Sequence, residues 1–283
     1  MRCRPTGAYE PPFILINEGA KDFNSALYYA VLAKNEESKE MLLTKGADMT
    51  SLLHTAARKN SMECLDDSTF LTLVDINATD KNGRTPLHIA AILGHIESLE
   101  KLIHTDGVNL DITDNNHDSA LHLAVIKKRA EAVKLLLKAG INVNKTEHDG
   151  GTALHLAARY NNIEIINLLL KADIKADAKN YRKRTALHMA AQYADADVIK
   201  LLLQHIDVNE KNDTGYTALH MAAYLGRKDA MEALLTSEDI NINEITNKGK
   251  KPRRLSENSA RSEDGRKLRI KSRKFLVNSG SIC

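Results

Sequence analysis

Histidine is the chemically versatile residue that recurs most regularly in this chain of 283 residues. Six of the eleven histidines each follow a Ser or Thr by three positions, at intervals of 32 to 34 residues. Catalysis or metal binding would need several imidazoles to converge on one point, whereas this spacing distributes them one per structural unit. We therefore predict a structural role, in which the rings bond to Thr hydroxyls and neighbouring backbone. These histidines are His54, His88, His122, His155, His188 and His220.

An oxygen-rich segment, DITDNNHD at residues 111–118, suggests calcium binding. Its oxygen donors are the side chains of Asp111, Asp114, Asn116 and Asp118. The segment lacks the central Gly and the closing Glu of the calcium loop with this spacing, which favours a solvated turn. The chain also lacks a phosphate-binding Gly loop, a His-Glu-x-x-His motif and a Gly-x-Ser-x-Gly elbow. We predict no metal, no cofactor and no enzymatic activity.

Composition and cysteine usage favour an intracellular globular protein. Cys3, Cys64 and Cys283 lie far apart without paired spacing, which argues against a disulfide framework and a zinc site. The longest apolar run, residues 26–33, is too short to cross a bilayer, and residues 1–16 do not have the apolar length of a signal peptide. Hydrophobic residues make up 43% of the chain but aromatics only 4%, which predicts a core of Leu, Ile, Val and Ala. We expect a monomeric, cytoplasmic protein.

A Ser/Thr-x-Leu-His element is the repeated unit to which the histidines belong, and it predicts paired helices. A Ser or Thr oxygen caps the first turn of a helix, and Pro86 suits the first helical position. Ala pairs such as Ala157 and Ala158 allow close helix approach, and Leu triplets such as 168–170 supply the buried face of a second helix. Two short helices cannot bury these faces alone, so the units must stack. The elements start at Ser25, Ser51, Thr85, Ser119, Thr152, Thr185 and Thr217.

Turn residues separate the units. About ten residues rich in Asn, Asp and Gly follow each second helix, which predicts a projecting finger. Gly83, Gly150, Gly215 and Gly249 each lie two residues before the start of the next unit, as a tight turn entering a helix requires.

The recurring Gly-x-Thr-Pro/Ala-Leu-His-x-Ala-Ala pattern, with its period of about 33 residues, resembles the ankyrin repeat family. The resemblance covers seven recognisable units, followed by a degenerate one in which Arg253 and Arg254 replace Leu and His. It implies an all-α solenoid of stacked helix pairs with β-hairpin fingers, acting as a non-catalytic adaptor or inhibitor for another protein. We divide the chain into an N-terminal segment or cap at 1–24, the array at 25–250 and a basic capping repeat at 251–283.

Tyr and Arg residues concentrate in units five to seven, near the ends of the first helices and in the fingers. The resemblance implies that these positions line a concave, partner-facing groove, where Tyr supplies contact area at low entropic cost. The alternative is that the rings simply pack on neighbouring units. We prefer a binding surface, which we name the Tyr–Arg surface. It consists of Arg159, Tyr160, Tyr181, Arg182, Arg184, Gln192, Tyr193, Tyr216, Tyr224 and Arg227.

Four asparagines follow β-branched residues at the base of the fingers, and their amides are predicted to satisfy finger backbone. The resemblance also makes them candidates for hydroxylation, as in ankyrin proteins of animal cells. They are Asn77, Asn144, Asn209 and Asn241.

The C-terminal end is strongly basic. Residues 248–274 hold twelve Lys or Arg and three acidic residues, a net charge of +9 in a chain of +3, so the remainder is acidic. The capping role predicted above competes here with nuclear import and with binding of nucleic acid or anionic lipid, all through Lys250, Lys251, Arg253 and Arg254. Because ankyrin proteins are common in intracellular microbes, delivery into a host cell is a further alternative.

Overall fold

The computed structural model describes residues 23–66, 71 and 74–252. The predictions made for residues 1–22 and for Arg253, Arg254 and the rest of the basic end therefore lie outside the described residues. The chain divides into two compact units, which we call unit one, up to Asn142, and unit two, from Val143.

The described residues of unit one form four consecutive helix pairs. The first helices of the second and third pairs pack against each other, as do those of the third and fourth, and each second helix packs on its own partner. The eight helices are α1 Phe23–Leu32, α2 Glu36–Thr44, α3 Met49–Lys59, α4 Met62–Leu65, α5 Pro86–Leu93, α6 Ile96–Ile103, α7 Ala120–Ile126 and α8 Ala130–Lys138.

Unit two repeats the same arrangement three times. Helix α9 packs against α11 and α11 against α13, while the second helices form the opposite layer. Its helices are α9 Ala153–Arg159, α10 Ile163–Leu170, α11 Ala186–Tyr193, α12 Ala196–Leu202, α13 Ala218–Tyr224 and α14 Lys228–Leu234.

The core of each unit is built from small and aliphatic side chains, as predicted. Ala157 and Ala158 of α9 are completely buried, so α9 and α11 approach closely. From the second helices, Leu169 and Leu202 are also completely buried. Each fully buried Leu contributes roughly 1.5 to 3 kcal/mol of hydrophobic stabilisation, and this contribution exists only because helix pairs stack.

Most first helices begin at the predicted Thr or Ser. In unit two the Thr152, Thr185 and Thr217 side chains each form a capping box with the His three residues later. The first two repeats differ from the prediction. Helix α3 begins at Met49 because the Asp48 carboxylate accepts the backbone N–H groups of Thr50 and Ser51. Ser25 lies inside α1.

Five-residue turns form the tips of the predicted fingers. In each finger the first residue's N–H donates to the fifth residue's carbonyl at 2.8 to 3.0 Å. Isolated antiparallel bridges pair Thr113 with Ser119 and Thr146 with Thr152, and the described residues contain no longer strand. The fingers are thus hairpin-like turns, located at 80–84, 114–118, 147–151, 180–184, 212–216 and 246–250.

Within each unit, neighbouring fingers are joined by single backbone hydrogen bonds. In unit one the N–H of Asn115 donates to the Asn82 carbonyl at 3.0 Å. In unit two the N–H groups of Tyr181 and Asp213 donate to the carbonyls of Asp149 and Arg182, each at 3.0 Å. These bonds fix the register of the fingers inside each unit.

Within each unit, motif histidines connect a helix pair to the finger that follows. In unit two, His188 Nε2 lies 3.0 Å from the Tyr216 carbonyl, while Nδ1 lies 2.9 Å from Thr185 Oγ1 and accepts the Thr185 N–H. His155 makes the same pair of contacts with Arg184 and Thr152. An imidazole that donates from Nε2 and accepts at Nδ1 is neutral. The predicted structural role of these rings is confirmed.

His54 departs from this pattern because α3 begins earlier. Its Nδ1 lies 2.8 Å from the Thr50 carbonyl instead of a capping hydroxyl. Its Nε2 still reaches the closing carbonyl of the next finger, Arg84 O, at 2.9 Å. The connection between helix pair and finger is therefore kept even where the cap is different.

None of the helices in the described ranges is long and apolar enough to cross a membrane.

The histidine joints predict a specific loss of stability in acid. Burial lowers the pKa of the His188 imidazole to about 4. The unfolded chain takes up a proton on this ring below about pH 6.5 while the folded chain does not, so stability is complete above pH 6.5 and falls as the pH approaches 4. At pH 5 this one histidine should lower the free energy of unfolding by about 2 kcal/mol.

The variant His188→Gln removes this titration. Urea unfolding at pH 7, 6 and 5 should show a lower starting stability, because the Tyr216 carbonyl and Thr185 lose their partner, but a shallower decline with acid than the wild type. An equally steep decline in the variant would contradict the assignment of a buried, neutral ring.

Candidate protein-interaction surface

The Tyr–Arg surface begins with two rings at equivalent ends of first helices in unit two. Tyr193 ends α11 and is 44% exposed, and Tyr224 ends α13 and is 59% exposed. The Arg159 guanidinium lies 5.6 Å from the centroid of the Tyr193 ring, and Tyr216 meets Tyr224 edge-on at 6.5 Å. Both rings are oriented by neighbours while one part of each remains exposed, so a partner would find them already ordered.

Arg227 and Gln192 are placed near these rings by the backbone. Arg227 Nη2 donates to the Ala194 carbonyl at 2.8 Å, which connects the start of α14 to the end of α11. Gln192 is half-buried, and its Oε1 has no hydrogen-bond donor among the described residues. A buried acceptor without a donor is unusual in a folded protein and marks this position as unsatisfied. Tyr160 is half-buried at the end of α9.

The finger at 180–184 supplies the remaining predicted residues. Tyr181 is 77% exposed, yet one edge of its ring covers Gly150 of the preceding finger. Arg182 is exposed and Arg184 is half-buried. The Nε of Arg184 is shielded from solvent and has no acceptor among the described residues.

Sequence reasoning missed one contributor to this surface. Leu225, directly after Tyr224, is 45% exposed, and this exposure has no signal in the sequence. Lys183, which the sequence places at the same offsets as Arg182 and Arg184, adds a cation at the finger position that holds Gly in most other fingers, and its φ is +53°.

The four candidate asparagines do not join this surface. The Asn209 amide donates to the Asp239 carbonyl at 2.8 Å and accepts the Asn241 N–H at 2.7 Å, and Asn77 makes the equivalent bonds in unit one. Asn144 accepts the Lys175 N–H, while Asn241 bonds to Glu244 and Asn243. These amides satisfy backbone groups as predicted, and their hydroxylation stays a prediction.

In the oxygen-rich segment that suggested calcium binding, the central carboxylate bonds to its own finger and to an arginine. Asp114 is buried, accepts the N–H groups of Asn116 and Asp118, and pairs with the Arg84 guanidinium at 3.2 Å. A different group, Glu147, His148 and Asp149, brings three potential metal-ligand atoms within 4.8 Å of one another. The Glu147 carboxylate already accepts the N–H groups of Asp149 and Gly151. We therefore interpret this carboxylate as stabilising the turn of its own finger.

Of the four basic positions singled out at the C-terminal end, the described residues include Lys250, which closes the last finger, and Lys251, which follows it. The Lys250 carbonyl accepts from His220 Nε2 at 3.1 Å, and Lys251 Nζ lies 3.1 Å from Asn243 Oδ1. Both lysine side chains are exposed.

Repeated helix pairs, most of them started by a Ser/Thr–His capping box and followed by a finger that bonds to its neighbour, define a helical repeat protein. Side chains that differ from one repeat of this chain to the next lie in the fingers and at the helix ends. A family model described as ankyrin repeats matches the chain three times, over residues 27–114, 100–180 and 154–246. The chain belongs to the ankyrin repeat family, and its all-α fold class is the one predicted. No curated protein matches the chain. Ankyrin repeats are generally protein–protein interaction modules and are typically non-catalytic.

The contact between Tyr181 and Gly150 can be tested with a matched pair of variants. Gly150 has φ +77°, and an added Cβ would lie 2.7 Å from the Tyr181 ring. Gly226 has φ +69° with open space around it. Gly226→Ala should lose about 1 kcal/mol through backbone strain alone, and Gly150→Ala should lose more and displace the Tyr181 ring. Urea unfolding with NMR of the Tyr181 ring checks this, and equal losses with an unmoved ring would contradict the contact.

Proposed function

We propose that this chain is an adaptor or inhibitor that binds a partner protein through the Tyr–Arg surface of unit two. The observation that carries the proposal is the pair of exposed rings, Tyr193 and Tyr224, at equivalent helix ends. Large, ordered Tyr side chains are the type of residue that dominates binding energy at protein interfaces. Family membership supports a protein partner, and the resemblance supports a groove at these positions.

The surrounding residues support a partner that contacts both polar and apolar groups. Leu225 extends the apolar area beside Tyr224, while Arg159 stacks on Tyr193 and keeps its charge available. An interface of standard size buries about 800 Å² per partner, an area to which the finger 180–184 would also contribute.

Association through the basic end is the second candidate. Twelve Lys or Arg residues within 248–274 support contact with nucleic acid, an anionic membrane or the nuclear import machinery. Such contacts would weaken steeply with salt, whereas the Tyr–Arg surface would depend on salt less.

The two candidates can be separated in the full chain. Partners are captured from cell lysate, washed at low and high salt, and then measured individually. Tyr193→Ala and Tyr224→Ala should each weaken binding of the true partner by about 2 kcal/mol, or roughly 30-fold. Ile163→Ala is the matched control, because Ile163 is similarly exposed, at 45%, but begins a second helix, α10.

Unchanged affinity in both folded Tyr variants would refute the Tyr–Arg surface as the binding site. Affinity that instead depends on salt and on Arg253→Gln with Arg254→Gln would move the function to the basic end.

A further inference from the structure

The finger at 180–184 differs from most other fingers in the type of residue that adopts a positive φ at its fourth position. Lys183 occupies its fourth position at φ +53°, where Gly83, Gly150, Gly215 and Gly249 occupy the same position of other fingers. An L-residue rarely adopts this conformation, and residues held there concentrate at functional sites. The finger accepts backbone strain and gains a third consecutive cation between Arg182 and Arg184.

The fifth residue of the same finger lacks the ion pair that its counterpart makes. In unit one, Arg84 Nε lies 3.2 Å from the carboxylate of Asp114, the first residue of the following finger. In unit two the corresponding first residue is Asn212, whose Oδ1 accepts the N–H groups of Thr214 and Tyr216 just as Asp114 accepts those of its own finger. The residue that corresponds to Asp114 is therefore a neutral amide, and the shielded Nε of Arg184 has no acceptor among the described residues.

The three cations of this finger have no ion-pair partner among the described residues, and exposed carboxylates lie on both neighbouring fingers. Across the described residues, no carboxylate lies within 4 Å of the side-chain nitrogens of Arg182, Lys183 or Arg184. The fingers on either side carry Asp149 and Asp213, both exposed. A chain of phosphates, with a negative charge at every nucleotide, would meet these carboxylates beside the cations. A peptide with one or two carboxylates would not place its negative charges beside Asp149 and Asp213.

We infer that the finger 180–184 recognises a carboxylate side chain in a short acidic segment of the partner protein, with Arg184 as its principal donor. Guanidinium groups bind carboxylates with two parallel hydrogen bonds, and the half-buried Arg184 side chain makes no ion pair with any of the described residues. Lys183 and Arg182 add positive charge, and the exposed Tyr181 ring supplies apolar contact for the same segment. The inference rests on the proposed function and names the chemistry of its partner.

The test is a selection from a displayed library of random peptides on the full chain. Peptides enriched by the wild type should contain more Asp and Glu than the starting library. Synthetic copies should bind with at least tenfold lower affinity when their acidic residues are replaced by Asn and Gln. Enrichment without acidic residues, or no enrichment at all, would overturn the inference.

Three variants locate the binding to this finger. Lys183→Gly should weaken peptide binding several-fold while raising the urea midpoint, because strain and charge are removed together. His117→Gly is its matched control: His117 has φ +62° at the same finger position in unit one, so it should raise the midpoint and leave binding unchanged. Asn212→Asp should give Arg184 an internal carboxylate, as Asp114 does for Arg84, and reduce peptide binding at least tenfold without loss of stability.

The outcomes separate this inference from the proposed function. Peptide binding lost in Tyr193→Ala but unchanged in Lys183→Gly and Asn212→Asp would refute the acidic segment and leave the Tyr–Arg surface standing. Binding lost in the finger variants but unchanged in both Tyr variants would support the acidic segment and refute the rings as anchors. Tighter binding of a random 20-mer single-stranded DNA, lost in the same finger variants, would overturn the inference in favour of a phosphate ligand.

Discussion

A buried imidazole of the Thr–His motif holds a helix pair to the next finger of the same unit, and the other features of this fold depend on that joint. Its Nδ1 completes the cap of its own helix, as in Thr185 and His188, and its Nε2 donates to the closing carbonyl of the next finger. One side chain thus satisfies local and long-range backbone groups at the same time. Because two short helices cannot bury their apolar faces alone, a joint that sets the position of the next pair also determines what can be buried.

The joint explains why the proposed binding surface is confined to particular positions. Thr, His, the Ala pair and the Leu residues are used for capping, bonding and close packing, so they cannot vary without loss of stability. The ends of the first helices and the tips of the fingers are free of these tasks. Tyr193, Tyr224 and the 180–184 finger occupy such positions, and the single backbone bonds between fingers hold them in register.

The sequence was sufficient to predict features that depend on local chemistry. The Thr caps, the buried Ala pairs and the backbone bonds of Asn209 all follow from residue type and spacing, and the structure contains them. The start of α3 at Met49 was not predicted, because Asp48 competes with Ser51 as the cap and the repeat pattern favours Ser51. The unpaired state of Arg184 could not be predicted either, since it depends on which residue of the following finger faces it. That pairing is a tertiary property, visible only when Arg84 and Asp114 are seen together.

Hydrogen–deuterium exchange of the full chain, free and bound to a captured partner, tests the central claim most directly. The account predicts that binding slows exchange in the finger 180–184 and at the ends of α11 and α13, while the second helices α10 and α12 keep their free rates. Protection restricted to those second helices, to unit one or to the residues after Pro252 would contradict it.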